Sequence, residues 1–233
     1  MKVLTVERKV LKKNDDIAAE NRARFTAANL TVLNLLSSPG AGKTTLLERT
    51  LEKLAGRYRL AVVEGDVQTD NDARRIARYN VPVVQVITRG GCHLEADLVQ
   101  DAVANFNLEE LDLLFIENVG NLVCPANYDL GEAWKVVIIS TTEGEDKPLK
   151  YPPMFRVAQV CVINKIDLLP YVDFNLSRAR EYARGIQPDL QFFELSARTG
   201  EGLDAWIDWL ENLIRQNPPD SGSTRKPGIE KQQ

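Results

Sequence analysis

Histidine is almost missing from this chain: 233 residues contain one, His93. A histidine-rich metal store is therefore excluded, and any imidazole chemistry has a single address. Cysteine is scarce as well. Cys92, Cys124 and Cys161 are odd in number and widely spaced, which excludes the disulfide framework of a small secreted domain. Long apolar runs are missing too. Stretches such as 83–87 and 136–139 fall far short of the ~20 residues that span a bilayer. There is no excess of basic charge, since 29 Lys and Arg face 33 Asp and Glu for a net charge of -4. That balance, with an isoelectric point near 5.3, lacks the basic footprint of a general nucleic-acid binder. The first residues, Met1-Lys2-Val3-Leu4-Thr5-Val6-Glu7-Arg8-Lys9, break into charge before a signal-peptide core could form. These absences predict a soluble cytoplasmic protein with neither nucleic acid nor membrane as partner.

What is present is ordinary globular material, 44% hydrophobic and 27% charged, enough for one large domain with appendages. Strand-length apolar runs lie at 30–36, 60–64, 83–88, 111–117, 134–140, 160–164 and 190–195. Most are apolar throughout rather than alternating, as strands buried on both faces of a parallel sheet are. Helix-length amphipathic stretches separate them at 43–54, 70–79, 94–106, 176–184 and 203–215. The alternation predicts an α/β fold, a doubly wound and mainly parallel sheet with helices on both faces. In such folds the ligand lies beyond the carboxyl ends of the strands. Residues 1–29 are expected to be a helical extension, with a charged helix over 15–28, and 30–215 the nucleotide-binding domain. The tail 216–233 has turn formers without apolar period and is expected to be disordered.

The first strand runs into Ser37-Ser38-Pro39-Gly40-Ala41-Gly42-Lys43-Thr44-Thr45, a Walker A loop with Ser37 at the place of its first glycine. Gly40, Ala41 and Gly42 are expected to turn backbone N–H groups onto phosphate oxygens. Lys43 supplies charge to the β and γ phosphates, and the Thr44 hydroxyl, followed by Thr45, is placed to ligate Mg²⁺ at a helix N-terminus. Much later a strand ends in Asn164-Lys165-Ile166-Asp167. A carboxylate at Asp167 accepts from guanine N1–H and the N2 amino group together, which adenine cannot offer, and the Lys165 stem covers the base. Ser196-Ala197, after the next strand, carries backbone N–H groups suited to guanine O6. In that chain order the three elements predict GTP and GDP as ligands.

Asp66 closes the second strand, with Asp70 and Asp72 just beyond, and Glu117-Asn118-Val119-Gly120 closes the fourth. Asp66, Asp72 and Glu117 are candidate Mg²⁺ acids beside Thr44. Lys43, Asp66 and Gly120 are the candidate catalytic set, Gly120 meeting the γ-phosphate through its N–H. Asn121 rather than Gln follows Gly120, so no residue orients the attacking water in the manner of Ras, and intrinsic turnover is expected well below ~1 s⁻¹.

Cys161 sits inside an apolar strand and reads as a core residue. Cys92 and His93 follow the third strand and Cys124 follows Gly120, so all three are expected on the nucleotide side. Thiolate and imidazole suit Ni²⁺ or Zn²⁺ rather than Mg²⁺ or Ca²⁺, and three ligands leave an open position for exchange. Because Cys124 is four residues beyond Gly120, movement at the γ-phosphate is expected to reach the metal.

The motifs Ser37 to Thr45, Glu64-Gly65-Asp66, Gly90-Gly91-Cys92-His93-Leu94-Glu95-Ala96, Glu117 to Pro125 and Asn164 to Asp167 together resemble the HypB family of hydrogenase nickel-incorporation GTPases. The resemblance implies a SIMIBI-class P-loop NTPase fold, a GTP-dependent homodimer and a metal at the dimer interface. It further implies delivery of Ni²⁺ to the large subunit of [NiFe]-hydrogenase with HypA as nickel partner, Cys92, His93 and Cys124 being the metal ligands. No Cys-rich or His-rich N-terminal stretch is present in this sequence, which excludes nickel storage. A urease-type nickel GTPase fits less well, since it resembles Cys-Pro-His where this chain has adjacent Cys92 and His93. A cobalamin-enzyme GTPase chaperone would not need the thiols. A regulatory GTPase with a structural Zn²⁺ would show metal affinity indifferent to nucleotide. A P-loop kinase has no evident use for Asn164 to Asp167.

Overall fold

The computed structural model describes residues 6–68 and 71–217. Its strands are β1 (Thr31–Ser37), β2 (Leu60–Asp66), β3 (Val83–Ile87), β4 (Leu113–Glu117), β5 (Trp134–Ser140), β6 (Val160–Asn164) and β7 (Gln191–Glu194). They form one sheet in the order β3-β2-β4-β1-β5-β6-β7. Every pairing among the described residues is parallel, so the sheet expected to be mainly parallel is wholly so. All seven residues of β1 are buried, as befits the strand at the centre. Alternate side chains serve opposite faces: Leu33 and Leu35 join one apolar cluster while Val32 and Leu36 join two others.

The helices are α1 (Val6–Ala27), α2 (Lys43–Leu54), α3 (Asn71–Ala77), α4 (Ala96–Val103), α5 (Lys147–Lys150), α6 (Pro152–Val157), α7 (Leu176–Ile186) and α8 (Leu203–Gln216). On one face α8 lays Leu203, Trp206, Ile207, Leu210 and Ile214 against the α2 leucines, and Trp206 Nε1 donates to Thr50 Oγ1 at 3.0 Å. On the other face α1 and α4 cover Val32, Val63 and Ile116, and α6 and α7 cover Leu36, Val137 and Cys161. Cys161 is fully buried, as its place in an apolar strand predicted.

Two differences from the pattern of apolar runs have local causes. The helix expected over 94–106 runs only from Ala96 to Val103, because Glu95 at its N-cap is extended, with φ -105° and ψ 161°. The first helix is longer than 15–28 and is held by buried polar groups rather than by an apolar stripe alone. Asn14 Nδ2 donates to the Asp129 carbonyl, Asn14 Oδ1 accepts from Ala96 N, and Asn21 Nδ2 donates to the Ala96 and Leu130 carbonyls. The helix expected from Asp70 starts at Asn71, and Asp70 itself lies outside the described residues. The tail expected to be disordered also lies outside them from residue 218 onward, while Gln216 still belongs to α8.

Candidate functional site

Above the carboxyl ends of the strands lies a cleft of about 650 Å³, within the usual size of a small-molecule site. Ser37 to Gly40, Gly42 to Thr45, Glu64 to Val67, Asp72, Arg75, Val119, Gly120 and Lys165 line it. Gly40 and Gly42 have φ of 80° and 93°, the left-handed conformation that turns the loop and that other residues adopt at a cost. Ser37 does not disturb the loop, since its hydroxyl donates to the Ser38 carbonyl at 2.8 Å. Lys147 of α5 donates to Ser38 Oγ at 2.9 Å and so braces the same loop from outside.

Asn164 knits three segments together. Its Nδ2 donates to the Ala41 carbonyl at 2.9 Å, and its Oδ1 accepts from Lys165 N at 2.8 Å and Ala197 N at 3.0 Å. Lys165 Nζ reaches the Gly40 carbonyl at 2.7 Å, so the stem expected to cover a base spans the mouth of the phosphate loop. Asp167 Oδ1 is buried and has no hydrogen-bond partner among the described residues. Such an acceptor is costly unless a ligand satisfies it. The Ser196 and Ala197 amides, expected to face guanine O6, are engaged inside the protein by the Glu201 carbonyl and by Asn164. In this conformation they brace the Asn164 hub. A Cβ on Gly42 would collide with Asn164 Nδ2. Gly42→Ala is therefore expected to cost about 2–4 kcal/mol, a left-handed residue plus displaced buried hydrogen bonds, read by chemical denaturation.

At the cleft floor Lys43 Nζ and Thr44 Oγ1 both donate to Glu117 Oε1, at 2.7 and 2.6 Å. One oxygen each of Glu64, Asp72 and Glu117 lies within 4.8 Å of the others. Glu64, named in the sequence only as the start of the Glu64-Gly65-Asp66 motif, had no metal role there. Asp66, which had one, lines the same cleft two residues on, with its Oδ1 accepting from Gln68 N at 2.8 Å. Burial would raise the fully buried Glu117 carboxyl, but Lys43 and hydrogen bonds from Glu64, Lys43 and Thr44 outweigh it and hold it below the usual range. Burial and the Glu117 charge push Glu64 the other way, up to about 11. Arg75 ties the cluster to α2 by pairing Asp72 at 2.9 Å and Glu48 at 2.5 Å. Gly120 lies against the phosphate loop: a Cβ there would meet Pro39 at 3.2 Å.

Beside this cleft the structure brings Cys92, His93 and Cys124 together, one donor atom of each within 4.8 Å of the others. The Cys92 Sγ lies 3.5 Å from His93 Nδ1, and Tyr128 stacks on the imidazole at 3.9 Å between centroids. A hydrogen bond with Cys124, helped by burial, pushes the Cys92 thiol up, so loading a metal there releases a proton. Burial lowers the His93 value, which keeps its ring neutral with a lone pair to give. Two asparagines join this group to the cleft. Asn118 Oδ1 accepts from Leu94 N at 3.1 Å, and Asn121 Nδ2 donates to the Cys92 carbonyl at 3.2 Å. In sequence Asn121 stands out only as a missing glutamine; its bond to Cys92 has no signal in one sequence.

Comparison with known proteins places these features in a family. The profile described as CobW/HypB/UreG, nucleotide-binding domain, matches residues 11–194. The hydrogenase maturation factor HypB of Azotobacter vinelandii is 57% identical over 210 residues, covering 90% of this chain and 69% of that protein. The crystal structure of HypB from Helicobacter pylori in complex with nickel superimposes with a TM-score of 0.83 at 39% identity, covering 91% of this chain and 100% of that one. The signal recognition particle receptor FtsY of Elizabethkingia anophelis gives a TM-score of 0.52 at 12% identity over 86% of this chain and 72% of its own, a likeness of fold alone. Among the described residues no helix is long and apolar enough to cross a membrane.

Proposed function

Since this chain belongs to the HypB family of hydrogenase maturation factors, P-loop GTPases concerned with nickel, we propose that it is a GTP-driven nickel carrier. Hydrolysis changes the affinity of Cys92, His93 and Cys124 for the ion, and the ion passes to the large subunit of [NiFe]-hydrogenase. The observation that carries this reading is the pair of asparagine bonds. Val119 and Gly120 line the phosphate cleft, Glu117 bonds Lys43 and Thr44 beneath it, and Asn118 and Asn121 hold the main chain on both sides of His93. A shift of Gly120 on loss of the γ-phosphate must therefore alter the spacing of Cys92, His93 and Cys124, which is a differential-binding route to release. Zn²⁺ competes for the same soft donors, so the nucleotide, not the donor set alone, sets capture and release.

In the nucleotide site Gly40 to Thr45 wrap the phosphates, and Asn164, Lys165 and Asp167 read the guanine with Ser196 and Ala197 behind them. Lys43 and Thr44, the residues that would meet the phosphates and the ion, both donate to the Glu117 carboxylate. The donor set fits Mg²⁺: the three carboxyls lie close together, and Glu64 Oε2 and Glu117 Oε2 are buried without a hydrogen-bond partner among the described residues. Thr44, Asp72, Glu117 and Glu64 would hold that ion, with Asp66 at the rim, and it would neutralise charge on the transferring phosphoryl group. Asn121 is committed to the Cys92 carbonyl and to Val123 N, at 3.2 and 2.8 Å, and so leaves the attacking water without an orienting side chain. Slow turnover in the isolated monomer follows, raised by homodimerisation on GTP. A HypA-type protein is the expected nickel donor.

The test is Ni²⁺ and Zn²⁺ affinity with GDP and with a non-hydrolysable GTP analogue, with molecular mass followed in parallel. The expected result is an affinity that depends on nucleotide, tracks dimer formation and falls at least about tenfold in Cys92→Ala, one of three ligands being lost. Equal affinity in both nucleotide states would instead leave a GTPase with a structural metal.

A further inference from the structure

His93 is the one histidine of the chain, and its two ring nitrogens have different surroundings. Nδ1 faces the Cys92 thiol at 3.5 Å. Nε2 is buried and has no hydrogen-bond partner among the described residues, and the carboxylate facing it is Glu95, with Oε1 at 3.8 Å. Tyr128 lies over the ring with planes 37° apart, so the imidazole cannot swing to exchange the two nitrogens without losing that stack. A neutral imidazole holds one proton. Which nitrogen carries it is decided by the hydrogen bond the other atoms around it can accept. Here the carboxylate acceptor is on the Nε2 side and the Cys92 thiol is on the Nδ1 side.

We propose that Glu95 is a positioning residue for the thiol–imidazole site, accepting the Nε2–H of His93 and thereby leaving the Nδ1 lone pair aimed at the metal ion beside Cys92. The inference rests on reading Cys92, His93 and Cys124 as metal ligands. A ligating histidine generally donates its second N–H to a carboxylate or carbonyl, which fixes the ring and strengthens it as a donor. Glu95 is placed for that task. It precedes α4 but makes no cap hydrogen bond with its side chain, and Asn14 of α1 already receives the Ala96 N–H. The present 3.8 Å exceeds a hydrogen bond, and the Glu95 side chain, 40% exposed, has the freedom to close it by rotation. Tyr128 and Glu95 thus clamp the ring in plane and in tautomer, while the Cys92 thiol stays at Nδ1.

A single histidine makes the test direct, because a long-range ¹H–¹⁵N correlation of the ¹⁵N-labelled full chain contains one imidazole and needs no assignment. Without metal the expected pattern is a pyrrole-type Nε2 and a pyridine-type Nδ1. Zn²⁺, the diamagnetic probe, is expected to move Nδ1 and leave Nε2 pyrrole-type. Glu95→Ala should mix the tautomers and weaken Zn²⁺ binding by about 10–100-fold. Glu95→Gln, whose amide oxygen still accepts, should keep the Nε2–H form and recover most of the affinity. Circular dichroism establishes that each variant is folded, and if Glu95→Ala is not, Glu95→Gln against Glu95→Lys carries the comparison. Zinc moving Nε2, or a Glu95→Ala spectrum and affinity equal to wild type, overturns the role of Glu95 and leaves the metal site standing. Zinc moving neither nitrogen overturns the metal site, and the inference with it.

Discussion

Asp167→Asn is expected to bind GTP about 10²–10⁴-fold more weakly than the wild type and to gain affinity for XTP. The magnitude combines two losses. A hydrogen bond to a charged acceptor is worth about 1.5–3 kcal/mol, and a guanine amino group left facing the new amide adds about 1–3 kcal/mol. At about 1.4 kcal/mol per tenfold, the sum spans that range. Xanthine carries a carbonyl where guanine carries the amino group, so the amide of the variant meets it with a donor while its oxygen still accepts N1–H. The structural ground is Asp167 Oδ1, a buried carboxylate oxygen with no partner among the described residues, next to the Asn164 hub that joins the phosphate loop to residue 197. Displacement of a fluorescent guanine nucleotide by GTP, XTP and ATP reads the effect. GTP affinity unchanged in the variant would mean that the base is read elsewhere.

The fold was legible in the sequence because burial on both faces writes itself as uninterrupted apolar runs. Trp134–Ser140 and Val160–Asn164 coincide with the runs that predicted them. The helices α5 and α6 were not legible. Pro148, Pro152 and Pro153 look like breakers in sequence, yet each helix carries proline in its first turn, where the missing N–H is no loss. Glu64 was hidden for a related reason. It falls within a run read as strand, and strand-end logic favours Asp66, the last residue of β2. Position two residues earlier puts Glu64 on the same face as Asp66 and opposite Glu117 in the parallel register, a neighbour relation that no single sequence contains. Cys92, His93 and Cys124 were legible as candidates because soft donors are so few in this chain. Glu95 and Tyr128, which surround the imidazole, belong to residue types too common to stand out.

Glu64→Gln is expected to make the metal-free protein more stable than wild type at pH 8, with the difference closing as pH falls toward 4.5. Glu64 and Glu117 are register partners on adjacent strands with one ammonium, Lys43, between them and the cleft. One cation cannot neutralise two buried carboxylates, so Glu117 takes the charge and Glu64 keeps its proton up to about 11. A group raised in the folded state contributes fully below its ordinary value and loses that contribution as pH rises through the folded one. Wild-type stability should therefore decline across the neutral range with a slope approaching ~1.4 kcal/mol per pH unit for one proton. Glu117, lowered, acts in the opposite sense, its contribution being lost only as the solution becomes acid. Glutamine keeps the shape and the neutral donor but has no proton to lose, so the alkaline slope should vanish in the variant. Mg²⁺ with GDP should flatten the same slope in wild type, because a divalent ion does for the carboxyls what the proton did. Denaturant titrations at a series of pH values read both effects, and parallel curves for the two proteins would refute the shared-proton arrangement.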